Sequence, residues 1–304
     1  MDALYRQWLS QPDQHLLILG RDPYPALLRQ IADPPRILFA KGNLALLQQP
    51  AIAMVGSRKP SLSGLRQARS FARQFAALGW AIVSGLAMGI DAACHRGALD
   101  VGGSTIAVLG CGCDINYPAS NSALTGEIWE TGLVLSEYPP GTPPLPGNFP
   151  KRNRIITGLA QGTLIVEARL KSGSLISAQT ALDQNREVFA IPGPVQYGQY
   201  GGCHELIRSG AVLTETIADV LAEITLIGEV EASPSPSPSP SPSPSPRAGA
   251  SAESGLLALI DDQPLPYSSL LNATGLTMQD LSGQLSQLEL AGLIVNSVEG
   301  YHRA

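Results

Sequence analysis

Lys151, Arg152 and Arg154 stand within four positions of one another, just after Phe149, in the stretch FPKRNRIITGLAQGTLIVEA. Cationic groups beside an aromatic ring suit a ligand that carries both phosphate and a flat base. The cations take the phosphate, and the ring takes a base at about 1 to 3 kcal/mol per stack. Basic residues recur in two comparable places, Arg58 and Lys59 after IAMVGS and Arg169 and Lys171 after TLIVEA. Spacing alone leaves a second reading of FPKRN open. Pro150 could simply start a helix, Phe149 could be core, and the charges could form a solvated face or pair with Glu137 and Glu167.

Other chemistry is poorly signalled. There is no GxGxxG after a strand, since Gly110-Cys111-Gly112 supplies only GxG, and there is no GxxxxGK[ST] phosphate loop. The GSR and SGS turns do not match GxSxG, and spacing marks no serine, histidine and acid trio. Asp91, Asp114, Glu137 and Glu167 fall at or near expected strand ends, where catalytic carboxylates could gather. Helix capping and pairing with nearby arginines is the reading preferred for them. His95 is read as a packing or hydrogen-bonding residue of a helix. Cys94-His95 and Cys203-His204 could meet at a metal, but the four cysteines lack CxxC spacing. They are read as reduced, buried thiols, and no metal, cofactor or catalytic residue is expected.

Such residues need a frame to bring them together. From Ala51 to Ile224 short apolar runs alternate with segments of helical periodicity: IAMV at 52, WAIVSG at 80, STIAVLG at 104, LVLSE at 133, TLIVEA at 163, VFAIPG at 188 and AVL at 211. Nearly continuous apolar strands alternating with helices predict an α/β fold, an extended Rossmann-like doubly wound parallel sheet covered on both faces. Ligands of such sheets sit beyond the C-terminal strand ends. The loops VGSRKPSLSG, SGLAMGID, LGCGCD and ARLKSGSL fall there, and the helix after FPKRN is placed at Ile155 to Gln161.

Residues 1–50, with helical patterns at Leu16 to Leu19 and Ala26 to Ile31 broken by prolines, are expected to form a short N-terminal helical segment. Residues 51–228 form the main domain, and 229–249 a linker whose SPSPSPSPSPSPSP run is an extended polyproline spacer. Residues 250–304 read as three helices, Ser254 to Ile260, Tyr267 to Ala273 and Thr277 to Ala291, followed by LIVNSVEGYHR, which makes a C-terminal winged-helix domain. Its six acids, Glu253, Asp261, Asp262, Asp280, Glu289 and Glu299, face Arg303 alone, so it carries the whole net charge of −5. A surface that acidic repels phosphate and points to protein contact. No apolar stretch reaches the length of a membrane span and no secretion signal opens the chain, so a cytoplasmic protein is expected.

The blocks GSR at 56, IVSGLAMGIDAACHRGAL at 82, TIAVLGCGCDINYP at 105, FPKRNRIITGL at 149, EARLKSGSLISA at 167, VFAIPGP at 188 and GCHELIRSGA at 202 resemble, in order over Ile52 to Leu221, the signature blocks of the DprA (Smf) family of DNA-processing proteins in bacterial natural transformation. The resemblance implies a non-catalytic protein that binds and protects single-stranded DNA, self-associates as a homodimer and loads RecA recombinase onto incoming strands. It implies phosphate contacts from Gly56, Ser57 and Arg58, and a DNA groove lined by Phe149, Lys151, Arg152 and Asn153. Gly85, Gly173 and Ser174 would add small side chains and backbone donors at the same edge. It also implies a SAM-like N-terminal domain, for which the residues before Ala51 are short, so a truncated version is expected. The rival from the enzyme class is a phosphoribohydrolase-like, Rossmann-type nucleotide-processing hydrolase. Its PGGxGTxxE hallmark is missing, although GTLIVEA at 162 echoes the second half. A third reading is an interaction scaffold worked by the acidic C-terminal module.

Overall fold

All seven apolar runs become strands. The computed structural model describes residues 3–196, 198–232, 270, 274, 281, 285, 288, 293–297 and 300–303. In chain order the first unit contains α1 (Ala3–Leu9), β1 (Gln14–Ile18), α2 (Ala26–Arg29), β2 (Ile37–Gly42), β3 (Ala51–Val55), α3 (Leu62–Ala77), β4 (Ala81–Ser84), α4 (Ile90–Leu99) and β5 (Thr105–Leu109). It continues with α5 (Ser122–Thr131), β6 (Leu133–Ser136), α6 (Asn148–Gly158), β7 (Gly162–Ile165), α7 (Gly173–Asp183), β8 (Glu187–Ala190), α8 (Gly201–Arg208), β9 (Val212–Leu213) and α9 (Ile217–Ala232).

The nine strands form one sheet in the order β1-β2-β6-β5-β4-β3-β7-β8-β9. From β6 to β9 every pairing is parallel, with Ile52 opposite both Ile82 and Gly162, and the β1-β2 ribbon adds antiparallel to β6. Every residue of β3, β4, β5, β6 and β7 is buried, as parallel strands covered on both faces require. One face packs Ile52, Met54, Ile82 and Leu164 under Ala68, Phe71 and Phe75 of α3 and Cys94 of α4. The other packs Ala53, Val55, Val83 and Val108 against Leu28 of α2, Ile155 and Ile156 of α6 and Ala178 of α7. Helix α3 follows from its sequence: the side chain of Ser61 accepts from Gly64 N at its start, and its buried residues recur at helical spacing.

Two readings of local structure change. Residues 1–50, expected to be helical, hold the helices α1 and α2 but also β1 and β2, which join the main sheet, and Leu16 to Ile18, read as part of a helix, lie in β1. Their apolar side chains find a neighbour across the ribbon, with Leu16 opposite Phe39 and Leu17 opposite Leu38, and pairing decides so short an apolar run more than periodicity does. The second change is at α6, which begins at Asn148 rather than Ile155, because Pro150 in the first turn needs no backbone partner. Helix α9 runs to Ala232, beyond the boundary placed at 228.

The second unit begins after Pro234. Its β10 (Ile294–Ser297) and β11 (Gly300–Arg303) pair antiparallel, with Ile294 opposite Arg303. Of the three helices expected there, 254–260 lies outside the described residues. Within the other two, Leu270, Leu281, Leu285 and Leu288 are described, and they are helical and buried. The Ser-Pro spacer also lies outside the described residues. Among the described residues no helix is long and apolar enough to cross a membrane.

Candidate functional site

The loops that follow β3, β4 and β5 meet the first turn of α6 around a pocket of about 50 Å³. Arg58, Gly85, Met88, Cys111, Tyr117, Phe149 and Arg152 are among its lining residues. The exposed Arg58 guanidinium lies over the Phe149 ring, 5.8 Å from its centroid, and the Tyr117 ring is tilted against Phe149, 5.6 Å centroid to centroid. Tyr117 is 42% exposed and Phe149 half-buried, so the pair offers aromatic surface at the mouth. A cation beside paired rings, open on one side, can hold a base against the rings and a phosphate on the guanidinium.

Beneath this mouth lies a buried polar layer. Arg152 is 4% exposed, and its Nη1 donates to the Gly85 carbonyl at 2.7 Å and to the Val108 carbonyl. Gly85 is required for that approach, since a Cβ there would lie 2.5 Å from both guanidinium Nη atoms. Asp91, also buried, accepts from Ala87 N at 3.4 Å. Burial pushes the Asp91 carboxyl above its ordinary value, and the Arg152 charge opposes that push. His95, fully buried, has Nδ1 2.6 Å from Thr105 Oγ1, and Thr105 Oγ1 donates to the Ile82 carbonyl. Burial first, and then the Arg152 charge, lower the His95 pKa to about 3, so its ring is neutral near pH 7. The Arg152 Nε and His95 Nε2 atoms have no hydrogen-bond partner among the described residues.

The residues singled out from sequence therefore separate. Arg58, Gly85, Phe149 and Arg152 come together at the pocket. Gly56 and Ser57 hold the loop that carries Arg58: a Cβ on Gly56 would strike Ile90, Ser57 N donates to the Glu167 carbonyl at 2.8 Å, and Ile90 N donates to the Ser57 carbonyl at 3.1 Å. The Ser57 hydroxyl accepts from Lys59 N at 3.1 Å. The basic cluster of α6 disperses, because consecutive helical positions point about 100° apart. Lys151 faces solvent, Arg152 turns into the buried layer, and Arg154 pairs with Glu137 at 2.7 Å and Asp33 at 3.1 Å. Arg152, expected as a phosphate clamp, thus spends Nη1 on backbone carbonyls. Asn153 is half-buried beside it. Gly173 and Ser174 open α7 on the far side of β7, where the Ser172 hydroxyl accepts from Ser174 N at 3.2 Å, and neither lines the pocket.

The carboxylates at the strand ends are engaged. Glu167, 1% exposed, accepts from Ser61 N at 3.0 Å and from the Ser61 hydroxyl at 2.5 Å. Asp114 accepts from Gly141 N at 2.9 Å. The four cysteines are free and buried, and no cluster of three metal-ligating side chains occurs among the described residues. Sequence reasoning missed Tyr117. Its signal was the aromatic residue a few positions beyond the glycine loop of LGCGCDINYP, past the C-terminal end of β5.

Comparison with known proteins identifies the family. The family model of DNA recombination-mediator protein A matches residues 15–225, and that of the DprA winged helix domain matches residues 238–298. The chain is similar to the protein Smf of Escherichia coli, 40% identical over 297 residues that cover 97% of this chain and 79% of that protein. It is similar to the DNA processing protein DprA of Streptococcus pneumoniae, 50% identical over 204 residues that cover 66% of this chain and 71% of that protein. The solved structure of DprA from Streptococcus pneumoniae superposes with a TM-score of 0.68 at 45% identity, covering 73% of this chain and 78% of the other. A structure of DNA processing protein A from Helicobacter pylori, described for its single-stranded DNA binding mode, gives 0.62 at 31% identity, covering 71% of this chain and 96% of the other.

Proposed function

The chain belongs to the DNA recombination-mediator protein A (DprA/Smf) family, and from that premise we propose that it is a non-catalytic single-stranded DNA-binding protein. It holds incoming single strands at the Arg58, Tyr117 and Phe149 pocket, protects them, and loads RecA recombinase onto them during natural transformation, acting in the cytoplasm as a homodimer. The observation that carries the reading is the exposed Arg58 guanidinium over the Phe149 ring, which is itself paired with Tyr117, at the C-terminal edge of the sheet. Engagement of Glu167, Asp114 and Glu137 in structural contacts supports binding over hydrolysis. The DNA-binding likeness of the Helicobacter pylori protein supports the choice of ligand.

Arg58 contributes phosphate contact, Phe149 and Tyr117 contribute stacking, and Gly56, Ser57, Gly85 and Arg152 hold the loops in place. Lys151 and Asn153 extend the groove along α6, and Gly173 adds a small residue across β7, where Ser174 N is held by the Ser172 hydroxyl. Binding of this kind is salt-sensitive and weakly selective among sequences, because released counterions and stacking carry no base code. Arg58→Ala is expected to weaken binding of oligo-dT at low salt by about tenfold, one charge-assisted contact of about 1.5 kcal/mol. Unchanged affinity in fluorescence anisotropy refutes the assignment of the pocket. Release of free base from a nucleoside monophosphate would overturn the non-catalytic reading, and failure to speed RecA assembly on coated single strands would remove the loading role.

A further inference from the structure

Helix α3 starts three residues after Arg58's neighbour Lys59 and runs away from the pocket, and its outer face carries Arg66, Arg69 and Arg73. All three are exposed, and α3 contains no acidic residue. At the helical rise of 1.5 Å per residue the row is spaced by about 4.5 and 6 Å, and Arg73 lies about 16 Å from the helix start. The row borders an open depression of about 520 Å³ lined by Arg66, Arg69, Ser70, Arg73, Gln74 and Val101.

Charge in this depression is only partly balanced. Asp100, at the end of α4, takes Arg69 in a two-point contact, with Nε at 2.5 Å and Nη2 at 2.8 Å. The hydrogen bond from Arg69 holds the Asp100 carboxyl below its ordinary value, and the Arg73 and Arg96 charges add to it. Arg96 is itself paired with Glu127 at 2.5 Å. Arg66 and Arg73 make no ion pair among the described residues, so two positive charges remain on the surface.

We propose that the Arg66, Arg69 and Arg73 row is a second binding site, a track for the phosphodiester backbone of the same single strand whose base sits at the Phe149 pocket. The inference rests on the DNA-binding reading of that pocket. Guanidinium forks are donors only and match the acceptor-only oxygens of phosphate. No aromatic ring lines the depression, so it holds backbone and not bases. Its lining carries three guanidinium groups and no carboxylate, which suits an anionic ligand.

The test uses the full chain and oligo-dT of about 4 and about 16 nucleotides, within the site sizes usual for single-strand binders, with affinity measured against salt concentration. For single strands each phosphate contact contributes about 0.7 to the slope of log K on log salt. The double variant Arg66→Ala/Arg73→Ala is expected to flatten the long-oligo slope by about 1.4 and the short-oligo slope by no more than about 0.7. Asp100→Asn releases Arg69 and is expected to steepen the long-oligo slope by about 0.7, a gain that misfolding does not produce. Unchanged slopes in both variants, or equal losses for both oligo lengths, overturn the track while the pocket reading stands. If the unsubstituted protein binds neither oligo, the pocket reading itself fails. If the slopes are unchanged and an acidic protein binds the row instead, the row is a protein-docking surface and the proposal is overturned.

Discussion

Two crevices lie at the C-terminal edge of one sheet, and only one of them is open. Strand order reverses between β3 and β7, the place where doubly wound sheets usually hold ligands. Here that gap is bridged: Ser57 N donates to the Glu167 carbonyl, and the Glu167 carboxylate takes Ser61 at the start of α3. The pocket opens instead beyond β4 and β5, where Gly85 leaves room for Arg152 and α6 swings Phe149 over the strand ends. The switch point has become an anchor, and the neighbouring gap has become the site. A buried carboxylate satisfied by backbone and hydroxyl donors stiffens the loop that bears Arg58, so the exposed guanidinium is presented in a narrow range of positions.

The comparison can be broken at either crevice. The largest effect is expected from Arg152→Ala, which removes the buried donor of the Gly85 and Val108 carbonyls and a charge that favours the Asp91 carboxylate. A loss of about 3 kcal/mol or more in chemical unfolding is expected from two hydrogen bonds of a charged donor, and a loss below about 1 kcal/mol would mean that the layer under the pocket is not structural. At the closed crevice Glu167→Ala should cost about 1.5 to 3 kcal/mol, since hydrogen bonds to a charged acceptor vanish. Oligo-dT affinity should fall less than in Arg58→Ala, and the reverse ranking would make the switch point the site.

His95 offers a pH readout of the same buried layer. The unfolded chain protonates the ring from its ordinary value of 6.5, whereas the folded ring stays neutral down to about 3. Between those values the unfolded state binds the extra proton, so stability is full above pH 6.5 and falls as pH drops. From pH 6.5 to 5 this amounts to roughly 2 kcal/mol, and His95→Gln should flatten that stretch of the unfolding profile. The smallest expected change in folding comes from Phe149→Ala: half-buried at the mouth, the ring should leave stability nearly unchanged while single-strand affinity drops by about 1 to 2 kcal/mol. Equal loss of both would return Phe149 to the core.

The frame was legible in the sequence because parallel strands buried on both faces must be apolar throughout. The runs at Ala51, Ala81, Thr105, Leu133 and Gly162 are buried along their whole lengths. Leu16 to Ile18 misled because a short apolar run has no period of its own, and its partner, Ile37 to Phe39, lies some twenty residues away. Within the site, Arg58 and Phe149 were legible from residue type and position after a strand and before a helix. Tyr117 was not, since only the folded chain sets its ring against Phe149.

The sequence by itself determined the alternation of strand and helix, the acidic C-terminal segment and the presence of three basic clusters, since each follows from local pattern and charge. Only the tertiary structure decided which basic residue faces solvent and which is buried. Lys151, Arg152 and Arg154 are near neighbours in the chain, yet helical geometry sends one to water, one beneath the pocket and one to Glu137 and Asp33. Direction on a helix is set by the helix, but what waits in each direction is set by strands and loops from distant parts of the chain.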